Sequence, residues 1–94
     1  MNHEAEISIH PDAVFTLLKE GSATILHLDS KRYYTLNETG IRIWELIEKG
    51  GKLDTIATAL HNEFEIDIDT AREKIAAFVN DLQSEGLVDV VKRS

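Results

Sequence analysis

The residue types in this chain that could do chemistry are four histidines, a run of alternating carboxylates, several serines and one pair of adjacent glycines. His3, His10, His27 and His61 are scattered without the close spacing of metal ligands, so they read as surface residues. The run Glu63-Phe64-Glu65-Ile66-Asp67-Ile68-Asp69 invites a calcium reading. A calcium loop begun at Asp67 would need its glycine where Arg72 stands and its bidentate glutamate where Phe78 stands; one begun at Glu65 would meet Thr70 and Ala76. Helix capping accounts for these carboxylates better. Ser8, Ser22, Ser30 and Ser84 have neither a neighbouring base nor the glycines of a nucleophile elbow. Gly50-Gly51 lacks the Gly-Lys-Ser/Thr of a phosphate loop, and there is no cysteine for a thiol nucleophile or a disulfide. Trp44 and Phe78 read as core aromatics rather than as a binding platform. The expectation is a protein with no catalytic residue, no metal and no cofactor.

Composition narrows the partners. Ninety-four residues make one domain, 1–94, with residues 1–13 and 92–94 as its expected flexible ends. With 43% hydrophobic and 29% charged residues the chain reads as an ordinary folded protein. A net charge of −7 argues against nucleic acid and against an anionic membrane, because affinity for phosphate comes from Lys and Arg. No apolar run reaches the length of a signal segment or a membrane span, so the cytoplasm is the expected location.

The elements that must position any site follow from hydrophobic period. Phe15–Glu20, Ala23–Leu28 and Arg32–Leu36 read as three strands joined by short turns at Glu20-Gly21-Ser22 and Asp29-Ser30-Lys31, an antiparallel meander. Ile7 and Ile9 alternate as in a short edge strand that Pro11 stops. At Asn37 the period changes from strand to helix. Asn37 is placed as an N-cap, with Leu36 before it and Ile41 after it at the spacing of a hydrophobic staple, and Gly50-Gly51 ends the helix. A second helix at Leu53–Phe64 carries Leu53, Ile56, Ala57, Leu60 and Phe64 as an apolar stripe. A third, capped by Asp67 with Asp69 in its first turn, carries Ala71, Ile75, Phe78, Val79 and Leu82 and stops at Gly86. Leu87–Val91 is an extended tail expected to fold back onto the body. Strands followed by helices in separate runs predict an α+β fold, a winged helix-turn-helix-like arrangement of a three-stranded β-meander and three α-helices.

The third strand has an unguarded edge. It contains no proline, and its only flanking charges are Lys31 and Arg32. An exposed edge beside an apolar helix is what strand addition by a peptide requires. The competing arrangement covers this edge with the segment around Ile7 and Ile9 or with the C-terminal tail. Two rival functions accompany it: a winged-helix DNA-binding regulator and a structural dimerisation domain. The third helix holds Asp67, Asp69, Glu73, Asp81 and Glu85 against Arg72 and Lys74, which the major groove would repel.

The stretch from Tyr33 to Val88 resembles the PqqD family, small peptide-binding proteins that share the recognition element of ribosomally made, enzymatically modified peptides. The resemblance rests on "YYTLNETG", the Trp44 helix, the Gly50-Gly51 break, "IATALHNEFEID" and a third helix ending "LQSEGLVD". It implies that the leader segment of a precursor peptide adds as an antiparallel strand to the third strand, in the cleft beside the third helix, and is presented to a modifying enzyme or a leader peptidase. On that reading the strand Tyr33, Tyr34, Thr35 and Leu36 supplies main-chain hydrogen bonds. Tyr33, Tyr34, Leu36, Ile75, Ala76, Val79 and Leu82 are candidates for apolar pockets. The Gly86-Leu87 ending, where quinone-pathway members favour Gly-Trp, is similar to stand-alone binders of lasso-peptide clusters. The expected state is a monomer, with an edge-strand dimer as the variant.

Asn37→Ala is expected to lower stability by about 1 kcal/mol through the lost cap, measured by chemical denaturation.

Overall fold

The computed structural model describes residues 5–19 and 21–92. In chain order these form β1 (Ala5–Ile9), β2 (Ala13–Leu17), β3 (Ala23–His27), β4 (Tyr33–Leu36), α1 (Glu38–Lys49), α2 (Leu53–Phe64), α3 (Ile68–Ser84) and β5 (Val88–Lys92). The meander is present: β2, β3 and β4 pair antiparallel in that order. Its first strand starts and ends earlier than the sequence suggests. Leu18 N–H donates to Ser22 and Ser22 N–H to Lys19, which draws Leu18, Lys19 and Ser22 into the hairpin turn. The terminal segments form a second, two-stranded sheet, β1 against β5, so residues 5–9 are a paired strand, with Ala5 and Ile7 buried. The predicted return of the tail onto the body takes this form; Arg93 and Ser94 lie outside the described residues, as does His3.

Alternation builds the layer contact. Along β3, Ala23, Ile25 and His27 are buried while Thr24 and Leu26 are half-buried. The inner row Phe15, Ile25, Tyr34 crosses all three strands in register. Phe15 stacks on Trp44 of α1 (ring centroids 6.3 Å apart), and Tyr34 meets Phe78 of α3 edge-on at the same distance. The helical stripes close the core: Ile43, Trp44 and Ile47 of α1, Leu53, Ile56, Ala57 and Leu60 of α2, and Ala71, Ile75, Val79 and Leu82 of α3 are buried. Phe64, placed on the second stripe by its spacing, is 41% exposed at the end of α2, where Glu65 turns left-handed.

The caps separate into those that bond and those that only sit in place. Asn37 Oδ1 accepts the N–H of Gly40 at 2.9 Å, as expected. Asp67 occupies the N-cap position of α3, but its side chain makes no capping hydrogen bond; only its backbone carbonyl accepts, from Ala71. At the other end of α3, Leu87 N–H donates to Leu82 and Gly86 N–H to Gln83, with Gly86 left-handed at φ +72°, a Schellman ending. Arg42 forks onto both carboxylate oxygens of Glu63, at 2.7 and 2.8 Å, joining α1 to α2.

His27 departs from the surface reading. It is buried, its Nδ1 accepts the N–H groups of Asp29 and Ser30, and its ring lies 5.1 Å from that of His10. The side chain thus holds the β3–β4 turn, in which Lys31 adopts a positive φ of 64°. The reason is positional: His27 falls on the inward parity of β3, after Ala23 and Ile25.

Gly51 joins the helical layer to β1. Ile7 N–H donates to its carbonyl at 2.7 Å, its φ is +71°, and a Cβ there would lie 2.0 Å from the Ile7 carbonyl oxygen. Gly51→Ala is therefore expected to destabilise the fold by well over ~1 kcal/mol, since both backbone conformation and space are refused. The substitution at Gly50, which has open space around it, is the comparison; equal midpoints in denaturant would refute the claim.

Candidate functional site

The outer edge of β4 has no partner strand among the described residues. β1 and the C-terminal tail, the two segments that might have covered it, pair with each other instead.

Register decides which main-chain groups this edge offers. His27 N–H donates to Arg32 at 2.9 Å, so residues 27 and 32 form a hydrogen-bonded rung. In an antiparallel ladder bonded and non-bonded pairs alternate. With Ile25 opposite Tyr34 and Ala23 opposite Leu36, the backbone groups of Tyr34 and Leu36 face β3. Those of Tyr33 and Thr35 therefore face outward, a donor and an acceptor from each.

Side chains alternate along the other axis. Tyr34 and Leu36 turn toward the helices, half-buried and buried; Tyr33 (71% exposed) and Thr35 lie on the open face of the sheet. Beside the edge runs a groove of about 440 Å³. It is bounded by Gly21 and Ser22 of the β2–β3 turn, by Tyr34, Thr35, Leu36 and Asn37, and by Phe78 of α3.

Phe78 packs against the core as expected, and its half-buried ring also lines the groove, which the sequence reading did not place there. Its ring reaches this position because residue 40 is glycine: a Cβ there would stand 3.2 Å from Phe78 Cε1. The available signal was angular, since Phe78 sits one residue off the buried line Ala71, Ile75, Val79, Leu82. Gly21, Ser22 and Asn37 were also missed, because a turn and a cap reach the groove only through the fold.

The candidates of the sequence analysis now divide. Leu36 is 2% exposed, and Ile75, Val79 and Leu82 are fully buried. Ile75, Val79 and Leu82 therefore belong to the core and contribute stability rather than contact surface, while Leu36 bounds the groove with little of its side chain exposed. Tyr33, Tyr34, Thr35 and the half-buried Ala76 remain accessible.

Two polar contacts bridge β4 and α3 near the start of the strand. Tyr34 Oη donates to Asp81 Oδ2 at 3.3 Å, and Arg32 pairs with Glu85 at 3.1 Å. Burial, together with Asp81 and then Glu85, raises the Tyr34 phenol above its ordinary value, so it stays a neutral donor. The Arg32 side chain is 72% exposed, and a pair of that kind contributes at most about 1 kcal/mol. The open part of the groove is thus the end nearest Leu36 and Asn37. Among the described residues no three His, Asp or Glu side chains gather as a metal site, and no helix is long and apolar enough to cross a membrane. The exposed surface of α3 carries Asp69, Glu73 and Asp81 against Lys74.

Comparison with known proteins agrees with this geometry. No curated protein sequence matches the chain. Two solved structures share the fold at close range. One, described as TbiB1 in complex with the TbiA(beta) leader peptide, is 27% identical with a TM-score of 0.81, over 87% of this chain and 94% of that one. The other, described as lasso peptide synthetase B1 complexed with the leader peptide, is 25% identical with a TM-score of 0.79, over 89% and 98% of the two chains. The family pattern described as coenzyme PQQ synthesis protein D matches residues 23–88. With its meander, its three helices and that match over most of its length, the chain belongs to the PqqD family.

Proposed function

We propose that this protein binds the leader segment of a ribosomally made precursor peptide as an added strand on β4 and presents it to a modifying enzyme or a leader peptidase. It acts as a non-catalytic adaptor in the cytoplasm. The observation that carries the reading is the free β4 edge with outward groups at Tyr33 and Thr35, set beside a groove with an aromatic wall. Both solved relatives are described as complexes with leader peptides, and the second as a lasso peptide synthetase component, which supports a lasso-type precursor over the quinone pathway.

The division of labour is physical. Main-chain bonds from Tyr33 and Thr35 would give affinity without reading sequence, while side chains alternating along the peptide would read the groove. Phe78 and Tyr34 supply the apolar wall, and the buried Ile75, Val79 and Leu82 keep α3 at its distance from β4. DNA binding is not favoured, because the exposed face of α3 is acidic.

Proline scanning separates folding from binding, since proline removes one donor and is tolerated where that donor faces solvent. Tyr34→Pro is expected to cost the fold more than ~1 kcal/mol through its lost inward hydrogen bond. Thr35→Pro should remain folded and lose about tenfold or more in affinity for a synthetic lasso-precursor leader. Thermal unfolding and calorimetric titration of both variants make the test; two folded variants that bind as the parent does would remove β4 as the site.

Binding driven by an apolar wall and main-chain bonds should vary less than about threefold between low and moderate salt, since counterion release is not its source. Phe78→Ala should weaken it by roughly tenfold, as loss of an aromatic anchor does. A steep salt slope with normal binding by the Phe78 variant would contradict the assignment.

A further inference from the structure

β4 is not the only open edge of the three-stranded sheet. The order β2-β3-β4 leaves the outer side of β2 without a partner among the described residues. Natural edge strands are usually guarded by charge, by proline or by a covering segment. From Ala13 to Leu18 this strand has no charged residue and no proline. Its apolar side chains stand in solvent: Val14 is 39% exposed, Leu17 62% and Leu18 56%. The proposed peptide site uses none of them.

The main-chain parity of this edge is fixed by two bonds. Leu28 N–H donates to Asp12 and Leu18 N–H to Ser22. With the register of β2 on β3, the groups of Val14 and Thr16 are therefore spent on β3, and those of Ala13, Phe15 and Leu17 point outward. Ala13 N–H is taken by the His10 carbonyl at 3.0 Å. The outward set is then the Ala13 carbonyl with both groups of Phe15 and of Leu17.

We propose that β2 pairs antiparallel with β2 of a second copy of this chain, about a twofold axis at Phe15, so that the two sheets run on as one. Phe15 belongs to the outward set, so a rung centred on it exchanges reciprocal hydrogen bonds between the two copies. On either side, Leu17 N–H meets the carbonyl of the partner's Ala13, and the exposed Leu17 side chain settles over that small residue. The charges select this direction. Asp12 precedes the strand and Lys19 follows it. Antiparallel pairing brings Lys19 alongside the partner's Pro11-Asp12 turn, whereas parallel pairing would set Asp12 beside Asp12 and Lys19 beside Lys19. The contact is isologous and closes on itself, so it yields a pair rather than a fibre. It also places the two β4 edges at opposite extremes of the joined sheet, leaving both grooves open.

Sedimentation equilibrium of the full chain from micromolar to millimolar concentration tests the proposal. The expected result is a concentration-dependent doubling of mass. Leu17→Pro removes an outward donor and should shift the equilibrium strongly to monomer. Thr16→Lys, whose backbone faces β3, places like charges diagonally across the axis and should do the same; it decides the matter if the proline variant fails to fold. Thr35→Pro, on the opposite edge, should pair as the parent does. A chain that stays monomeric throughout overturns the proposal. So does dimerisation that survives Thr16→Lys, or dimerisation abolished only by Thr35→Pro, which would place the contact on β4. Leader titration is read separately, so a failed dimer leaves the peptide site standing and a failed peptide site leaves the dimer testable.

Discussion

The bond from the Gly40 amide to Asn37 Oδ1, 2.9 Å long, sets the rest of the structure. It turns the chain from β4 into α1 with no intervening loop. Leu36 is thereby driven into the core on one side of the cap and Gly40 on the other. Because Gly40 has no side chain, the ring of Phe78 can lie against the first turn of α1, beside β4. The groove is the space that this arrangement leaves.

A single four-residue strand serves both the core and the groove because its two alternations are independent. Side chains alternate through the sheet, giving Tyr34 and Leu36 to the helices. Main-chain groups alternate within the plane of the sheet, giving Tyr33 and Thr35 to the edge. The residues that would hold a peptide by their backbone are therefore not those whose side chains face the groove. Tyr34 illustrates the split: its amide is committed to β3 while its ring meets Phe78 and its hydroxyl reaches Asp81.

Much of this was legible in the residues, and the failures have particular causes. The change of period at Asn37, the three helical stripes and the glycine endings are local signals, and they placed α1, α2 and α3 closely. The candidate edge was legible for the same reason, as a β-rich run without proline or central charge. Which of Leu36, Ile75, Val79 and Leu82 were core was not, because apolar residues one helical step apart have the same signature on either side of a groove wall. His27 was misjudged by residue type: a histidine suggested surface, while its parity on β3 put it inside; Phe78 packs against the core as its type suggested, and only its half-buried position beside the groove was not foreseen. The β1–β5 sheet depends on segments at opposite ends of the chain, a pairing that no local pattern encodes.

That small sheet has one more consequence. Ala5 lies opposite Lys92, so the described chain enters and leaves the domain side by side, in a sheet separate from the one that carries the β4 edge. The first and last described strands are thus tied to each other and not to the meander, so strain entering along either of them is taken up in the β1–β5 ladder before it reaches the groove.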